Sequence, residues 1–159
     1  MTTVHRNAVR AILLTPEGDL LLMRVRAPQG GEPFWITPGG GLEVGETVED
    51  GLRRELMEEL GIEGFAIGPV LCRRRHTFTW GDRRICQCEE YRAVHVDRFG
   101  PVLSDAVEAQ TVEHFEWWPL EAIKRSTDTF TPSELAEIVG RYLLEGPPNE
   151  PPEVEVILD

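Results

Sequence analysis

The sequence predicts an α/β protein in which helices flank a central mixed β-sheet. Its first part contains two apolar segments, residues 7–14 and 19–25, that are typical of strands. Apolar residues at helical spacing predict one helix over residues 47–60 and a last helix between Thr131 and Gly146. Further strand-like segments lie between these helices. This order of elements favours helices packed against a mixed sheet.

The later strands are expected in the second half of the chain. Apolar and β-branched residues predict strands near residues 65–80 and 84–97, joined by a hairpin turn at Gly81–Asp82. A short strand at Phe115–Trp118 then enters a helical turn at Pro119–Ile123.

The helix over residues 47–60 has clear signals at both ends. Thr47, with Asp50 three residues later, forms a variant of the capping box, and Gly61 stands where a left-handed cap ends a helix. Apolar residues recur at every fourth position and predict a buried stripe: Val48, Leu52, Leu56 and Leu60.

The last helix and the tail that follows it complete the predicted organisation. Thr131–Glu134 combines a capping box with a proline at the first helical position, and Gly146 ends the helix. We expect one domain over residues 1–146, followed by a Pro- and Glu-rich tail over residues 147–159. This tail could dock as an edge strand or pair with another subunit in a homodimer.

Charge and composition exclude several classes of partner. The formal net charge of −12 at pH 7 argues against binding to a nucleic acid duplex or an acidic membrane. No stretch approaches the roughly 18 apolar residues of a membrane span, and no apolar secretory segment opens the chain. Cys72, Cys86 and Cys88 lack the spacing of a zinc site and are expected to be reduced thiols. We therefore expect a cytoplasmic protein.

Three carboxylates of the helix over residues 47–60 form the strongest functional signal. At helical pitch Glu55, Glu58 and Glu59 share one face, where like charges repel. Two of them also lie in the last turn, where the helix dipole disfavours anions. A solvated acidic face is one explanation. The alternative is a divalent cation with oxygen ligands, Mg²⁺ or Mn²⁺, and the preceding Pro38–Gly41 segment favours it because glycines let backbone approach a ligand closely.

The same stretch resembles a known motif, the Nudix box of the MutT-like hydrolases. The matching positions are Gly40, Glu46, Arg54, Glu55, Leu56, Glu58, Glu59, Gly61 and Ile62. The preceding Trp35–Gly40 segment is similar to the usual lead-in of that family. The resemblance implies a Nudix-type α/β/α sandwich. It also implies hydrolysis of a nucleoside diphosphate linked to another moiety, with Mg²⁺ or Mn²⁺ as cofactor.

Roles for individual residues follow from the carboxylate chemistry and from this resemblance. Glu55 and Glu59, one turn apart, are the favoured metal ligands and catalytic residues, with Glu58 as a further ligand. The resemblance adds the backbone carbonyl of Gly39. Arg54 and Glu46 are expected behind the ligands, where an arginine fork can orient a carboxylate. An ordinary structural ion pair would explain both equally.

The general base and the substrate contacts stay open at this stage. The base is a glutamate of the box or a later one, Glu108 or Glu113, for which surface charge is the alternative explanation. Alternation along a strand points one member of the Glu89–Glu90 pair inward, as a further ligand or as an edge residue facing water. Candidate substrate contacts are Arg74, Arg84 and the aromatic Trp80, with a solvated hairpin or the core as alternatives; Arg10, Arg24 and Arg26 are placed similarly.

Three functional hypotheses are compatible with these residues. The first is a Mg²⁺-dependent pyrophosphohydrolase acting on a small nucleotide or nucleotide derivative. The second is a non-catalytic nucleotide- or metabolite-binding module, which the intact motif disfavours. The third, an isomerase acting on an allylic diphosphate, would need a reactive cysteine in the pocket, and the hairpin region does not obviously supply one.

Overall fold

The computed structural model describes residues 2–101 and 112–158, which form three helices and nine strands. The strands are β1 (Thr3–Leu14), β2 (Asp19–Val25), β3 (Phe34–Ile36), β4 (Gly39–Gly41), β5 (Val70–Trp80), β6 (Arg83–His95), β7 (Val112–Pro119), β8 (Phe130–Thr131) and β9 (Glu153–Ile157). The helices are α1 (Val48–Leu60), α2 (Leu120–Arg125) and α3 (Leu135–Glu145).

All nine described strands join one mixed sheet, with the order β8-β3-β2-β1-β6-β5-β9. The central pair, β1 and β6, is parallel along its whole length, whereas β1 and β2 are antiparallel, as are β5 and β6. The short strand β4 pairs with β1, and β7 pairs with β2. The mixed sheet predicted from the sequence is therefore confirmed.

Helices cover both faces of this sheet, because alternate residues of the central strands point to opposite sides. Val9, Ala11 and Leu13 of β1 share a buried core with Leu52 and Leu56 of α1. Residues of the opposite parity belong to a second core that includes α2 and α3: Ile12, Leu14, Ile123, Leu135 and Val139. This arrangement confirms the expected α/β/α sandwich.

Helix α1 forms and ends as its sequence predicts. The Thr47 hydroxyl accepts a hydrogen bond from the Asp50 amide at 3.1 Å, and Gly61 adopts a left-handed backbone with φ of 68°. Leu52 and Leu56 are fully buried, while Val48 and Leu60 pack partly buried against the same core. The leucine stripe thus fixes which face of α1 the carboxylates occupy.

The predicted start of the last helix is wrong. Helix α3 begins at Leu135, and Glu134 precedes it without a side-chain capping bond. Thr131 cannot act as the cap because it pairs with Ile36 in the sheet and its hydroxyl accepts a hydrogen bond from Arg74. The apolar spacing that predicts this helix comes from Leu135, Ile138, Val139, Tyr142 and Leu143. Leu135 and Val139 are buried as expected, whereas Leu143 is exposed.

The remaining sequence features lie at the edge and the surface of the sheet. Strand β9 pairs in parallel with β5, and Glu155 binds Arg75 across this edge at 2.5 Å. Cys72 is buried, whereas Cys86 and Cys88 lie on the more exposed side of β6. Within the described residues, no helix has the length and apolar character to cross a membrane.

Candidate active site

The glycines that precede α1 are part of the sheet. The sequence predicts a glycine-rich loop here, but Gly39–Gly41 forms β4 and pairs antiparallel with Ala8–Arg10 of β1. This pairing places a strand without side chains directly beside the carboxylate face of α1. The backbone of β4 and the side chains of Glu55 and Glu59 therefore meet at one place.

Glu59 is the most deeply buried of the three helix carboxylates, with 8% of its surface exposed. Its Oε1 accepts a hydrogen bond from the Gly39 amide at 2.8 Å. Burial raises the pKa of Glu59 to about 8, against an ordinary value of 4.5, and outweighs the opposing effects of Arg10 and the Gly39 amide. At neutral pH this site favours either a proton or a cation beside the carboxylate.

Glu55 lies against the next glycine, Gly40. A methyl group on Gly40 would lie 2.6 Å from the Glu55 carboxyl carbon, so only glycine leaves room for the carboxylate in this position. Burial also raises the pKa of Glu55, although the Arg54 guanidinium, which binds its Oε1 at 3.1 Å, opposes the rise. Two desolvated carboxylates one helical turn apart thus contact successive residues of β4.

Arg54 forms hydrogen bonds to several residues around the start of α1. Its Nε and Nη2 donate to the two carboxylate oxygens of Glu46 at 2.8 and 2.9 Å, the bidentate geometry considered from the sequence. Nη2 also donates to the Gly41 carbonyl at 3.0 Å, and Nη1 reaches Glu58 at 3.3 Å. The Arg54 guanidinium holds the pKa of Glu46 at about 2. Arg54 therefore connects β4, the turn before α1 and the outer side of the carboxylate face.

The donor set fits a hard divalent cation. Carboxylate oxygens of Glu55 and Glu59 and the backbone of Gly39 lie together in a desolvated position, where a cation would offset the charge. Across residues 2–101 and 112–158, no three acidic, histidine or cysteine side chains form a ready metal cage. Mg²⁺ in proteins usually binds through one or two carboxylates, with water and substrate phosphates completing its shell. The buried Glu59 and the partly buried Glu55 match that pattern.

Of the later base candidates, the structure describes Glu113. Glu113 of β7 binds Arg24 at 3.4 Å and Arg26 at 3.2 Å, and its side chain is half-exposed. Arg24 lies in β2 and Arg26 directly after it. These two candidate phosphate contacts are therefore ion-paired with Glu113. Glu108 lies outside the described residues.

The candidate substrate contacts lie on the β5–β6 hairpin. Arg74 is buried and donates to Glu89 and to the Thr131 hydroxyl. Trp80 makes edge contacts with the rings of Phe34 and Phe78 at the end of the hairpin, and Arg84 donates to the Thr79 hydroxyl. Trp80 and Arg84 lie at the turn end of the hairpin, whereas Arg74 lies six residues before Trp80 and binds Glu89.

Arg10 and Glu89 make more contacts near the site than the sequence predicts. Glu89, rather than Glu90, is the inward residue, and it binds Arg10 and Arg74 instead of standing free as a ligand. Arg10 in turn donates to the Gly39 carbonyl at 3.3 Å. The available signal was a lone arginine within the apolar run of β1, at a position that alternation directs into the molecule.

The sandwich fold and the carboxylate helix beside a glycine strand define an α/β protein of the Nudix type. Residues 4–138 match the NUDIX domain family. This match extends over most of the chain, and the chain belongs to the Nudix family of MutT-like hydrolases.

Individual relatives share either the box region or the whole domain. The nucleoside triphosphatase NudI of Enterobacter sp. (strain 638) is 44% identical over 59 residues, which are 36% of this chain and 42% of that protein. The putative mutator protein MutT4 of Mycobacterium tuberculosis (strain CDC 1551 / Oshkosh) is 27% identical over 164 residues, 96% of this chain and 63% of that protein. The matched region is thus less than two thirds of either relative.

A solved structure supports the same fold. The NUDIX domain of NrtR from Shewanella oneidensis, complexed with ADP ribose, superimposes with a TM-score of 0.63 and 20% sequence identity. The match covers 88% of this chain and 89% of that one. At this level of identity the likeness establishes the fold.

The raised pKa of Glu59 predicts how stability depends on pH in the metal-free protein. Between the unfolded value of 4.5 and the folded value of about 8, the folded protein keeps a proton that the unfolded chain has released, so stability falls as pH rises. Glu59→Gln removes this titration and keeps an oxygen for the Gly39 amide. A shift of one pH unit in a pKa corresponds to about 1.4 kcal/mol. We therefore expect the free energy of unfolding of the variant, relative to that of wild type, to be at least about 1 kcal/mol higher at pH 8 than at pH 5.

Urea denaturation in the presence of a chelator measures this difference. Glu49→Gln is the matched control, because Glu49 lies on the same helix with an exposed side chain. A stability difference between Glu59→Gln and wild type that does not change with pH would contradict the proposed burial of a protonated carboxyl group.

Proposed function

We propose that this protein is a Mg²⁺-dependent pyrophosphohydrolase that cleaves a phosphoanhydride bond in a nucleoside diphosphate linked to another moiety. The observation that carries the proposal is the contact of two desolvated carboxylates, Glu55 and Glu59, with the backbone of Gly39 and Gly40. Family membership supports the reaction class, because Nudix hydrolases generally use divalent metal ions. We place the reaction in the cytoplasm, on a small-molecule substrate.

Glu55 and Glu59 would hold the metal ion, with Glu58 at the exposed edge. The Gly39 carbonyl, which already accepts from Arg10, would contribute its second lone pair. When bound, a divalent cation neutralises phosphate charge and lowers the pKa of a coordinated water. Mn²⁺ is expected to replace Mg²⁺, because both prefer oxygen ligands. Arg54 keeps the first turns of α1 and the end of β4 in register through Glu46 and the Gly41 carbonyl. Phosphoryl-transfer chemistry depends largely on such positioning.

The proposed substrate class is supported by what related proteins bind or cleave. The NrtR domain is complexed with ADP ribose, a nucleoside diphosphate joined to a sugar, and NudI is named a nucleoside triphosphatase. Both ligands contain a phosphoanhydride bond. The net charge of −12 would repel such a polyanion unless cations and arginines neutralise it locally.

The candidates for the general base are a glutamate of the box and the later residues Glu108 and Glu113. Within the box, Glu59 is the most buried of the three helix carboxylates, and a base role for it requires that it is not itself bound to the metal ion. Glu113 is the alternative from outside the box, and it forms ion pairs with Arg24 and Arg26. A loss of activity in Glu113→Gln, at unchanged metal affinity, would assign the role to Glu113.

The cysteines disfavour the isomerase hypothesis. Cys72 is buried in the core shared with α3, and burial raises its pKa to about 11, far from a reactive thiolate. Cys86 and Cys88 lie towards the start of β6, on the face that α1 covers but outside the buried core that α1 shares with β1. The hydrolase is therefore the better supported reaction.

The direct test is a product profile. Purified protein is incubated with Mg²⁺ and a panel of nucleoside triphosphates, dinucleoside polyphosphates and nucleoside diphosphate sugars, and products are identified by ³¹P NMR. We expect turnover of at least one member, and a loss of about 10²-fold or more in kcat for Glu59→Gln, as when a group that stabilises transition-state charge is removed.

Glu49→Gln on the exposed side of α1 should retain wild-type turnover. Absence of turnover with every member and either metal would refute the hydrolase, and tight nucleotide binding without turnover would favour the binding module. Undiminished turnover in Glu59→Gln would refute the role of that residue.

Gly40→Ala tests whether the close approach of β4 matters for activity. The new methyl group would displace the Glu55 carboxylate, because a flexible side chain yields more easily than the paired backbone. Misplacing a reacting group by about 1 Å can cost on the order of 10²-fold in rate, so we expect kcat to fall by about 10- to 100-fold in a folded protein.

Gly100→Ala is the matched control for this substitution. Among the described residues, no neighbouring heavy atom lies within 4 Å of a methyl group built on Gly100. Steady-state kinetics should show wild-type kcat for this variant. Equal kcat for Gly40→Ala and wild type would contradict the role of the glycine contact.

A further inference from the structure

Glu89 is a charged residue in the middle of the sheet, with 4% of its surface exposed. Its carboxylate accepts hydrogen bonds from Arg74 Nε at 2.7 Å, from Gln87 Nε2 at 2.9 Å and from Arg10 Nε at 3.4 Å. Burial alone would raise the pKa of Glu89, but the two arginines reverse this effect and lower it. Glu89 is therefore an anion held between two cations.

Arg10 links this buried carboxylate to the active-site backbone. Its Nη1 donates to the carbonyls of Thr37 and Gly39 at 3.2 and 3.3 Å, on either side of Pro38. The backbone of Arg10 also pairs with Gly39 in the β1–β4 ladder. One residue thus holds both ends of the turn that leads into β4.

Gly39 is consequently bonded on both of its peptide units. Its amide donates to Glu59 at 2.8 Å, while its carbonyl accepts from Arg10. A continuous chain of contacts runs from Glu89 through Arg10 and Gly39 to Glu59. A shift of Arg10 would therefore change the orientation of the backbone that faces the proposed metal ligand.

We propose that Arg10 and Glu89 are positioning residues of this active site. Glu89 fixes the guanidinium of Arg10, and Arg10 fixes the Thr37 and Gly39 carbonyls so that the Gly39 amide stays directed at Glu59. The catalytic consequence rests on the proposed hydrolase function. The structural consequence, the ordering of Gly39, holds whatever the substrate.

An ordinary ion pair that only stabilises neighbouring strands would behave differently. Lysine at position 10 would keep the positive charge beside Glu89, but it lacks the planar fork that lets arginine serve a carboxylate and two carbonyls together. Arg10→Lys therefore separates the charge from the geometry. Stabilisation of the strands depends on the positive charge at position 10, whereas positioning of Gly39 depends on the planar geometry of the arginine side chain.

The chain offers a matched control pair on the same strands. Arg73 binds Glu90 at 3.3 Å, directly across β5 and β6 and one residue along from the Arg74–Glu89 pair. Since side chains alternate, this control pair lies on the opposite face of the sheet. Arg73→Lys and Glu90→Gln thus repeat the same chemical changes on the other face, where Glu90 binds Arg73 and Arg92 instead of Arg10.

Amide hydrogen exchange measured by NMR in metal-free protein tests the structural consequence. Exchange of the Gly39 amide should be at least about tenfold faster in Arg10→Lys than in wild type, relative to the Gly61 amide at the end of α1. Glu89→Gln should show the same selective effect, and Arg73→Lys and Glu90→Gln should not. Equal changes at Gly39 and Gly61, or no change at Gly39, would overturn the proposal.

Steady-state kinetics on a substrate found in the product profile test the catalytic consequence. We expect kcat of Arg10→Lys to fall by about 10- to 100-fold, the range for residues that orient a ligand, with KM within about threefold of wild type. A wild-type kcat beside faster Gly39 exchange would overturn the catalytic role. Absence of turnover in the wild-type protein would refute the hydrolase function and leave the exchange result to decide the positioning of Gly39.

Discussion

The site depends on one constraint: two carboxylates of a single helix are held out of water against a strand of glycines. Glu59 accepts the Gly39 amide, and Glu55 fills the space that a side chain on Gly40 would take. Each carboxylate is stable as an anion only with a nearby positive charge. The arginines of the surrounding structure supply that charge at the edges of the site, and we propose a divalent cation at its centre.

Two arginines in different positions supply positive charge to these carboxylates. Arg54 neutralises Glu46 and contacts Glu55 and Glu58 on the outer side of α1. Arg10 approaches Glu59 from the sheet and is itself held by Glu89. Glu59, which is the most buried of the helix carboxylates, accepts a hydrogen bond from a neutral amide. The raised pKa of Glu59 is the electrostatic consequence.

Much of the fold could be predicted from the sequence because its signals are local. The Thr47 cap, the leucine stripe and Gly61 each act within a few residues, and together they gave α1 correctly. The start of α3 was mispredicted because Thr131 is taken by contacts with β3 and Arg74, which are distant in the chain. Local capping rules cannot account for such competition.

The site was predicted in part for the same reason. The carboxylates of α1 share a face by helical geometry alone, so their proximity could be expected. The link from Glu89 to Gly39 through Arg10 requires the parallel pairing of β1 with β6, residues nearly eighty positions apart. Spacing along the chain carries no signal for that pairing. The pairing of β4 with β1 was missed because three glycines are typical of a loop.

Calorimetric titration of the metal-free protein with Mn²⁺ at pH 7, in buffers of different ionisation enthalpy, tests the central claim most directly. Because Glu59 has a pKa of about 8, binding of the cation should release close to one proton in the wild-type protein, and none from this position in Glu59→Gln. Proton release that is the same in both proteins, or Mn²⁺ binding that is unchanged in Glu55→Gln/Glu59→Gln, would contradict the account.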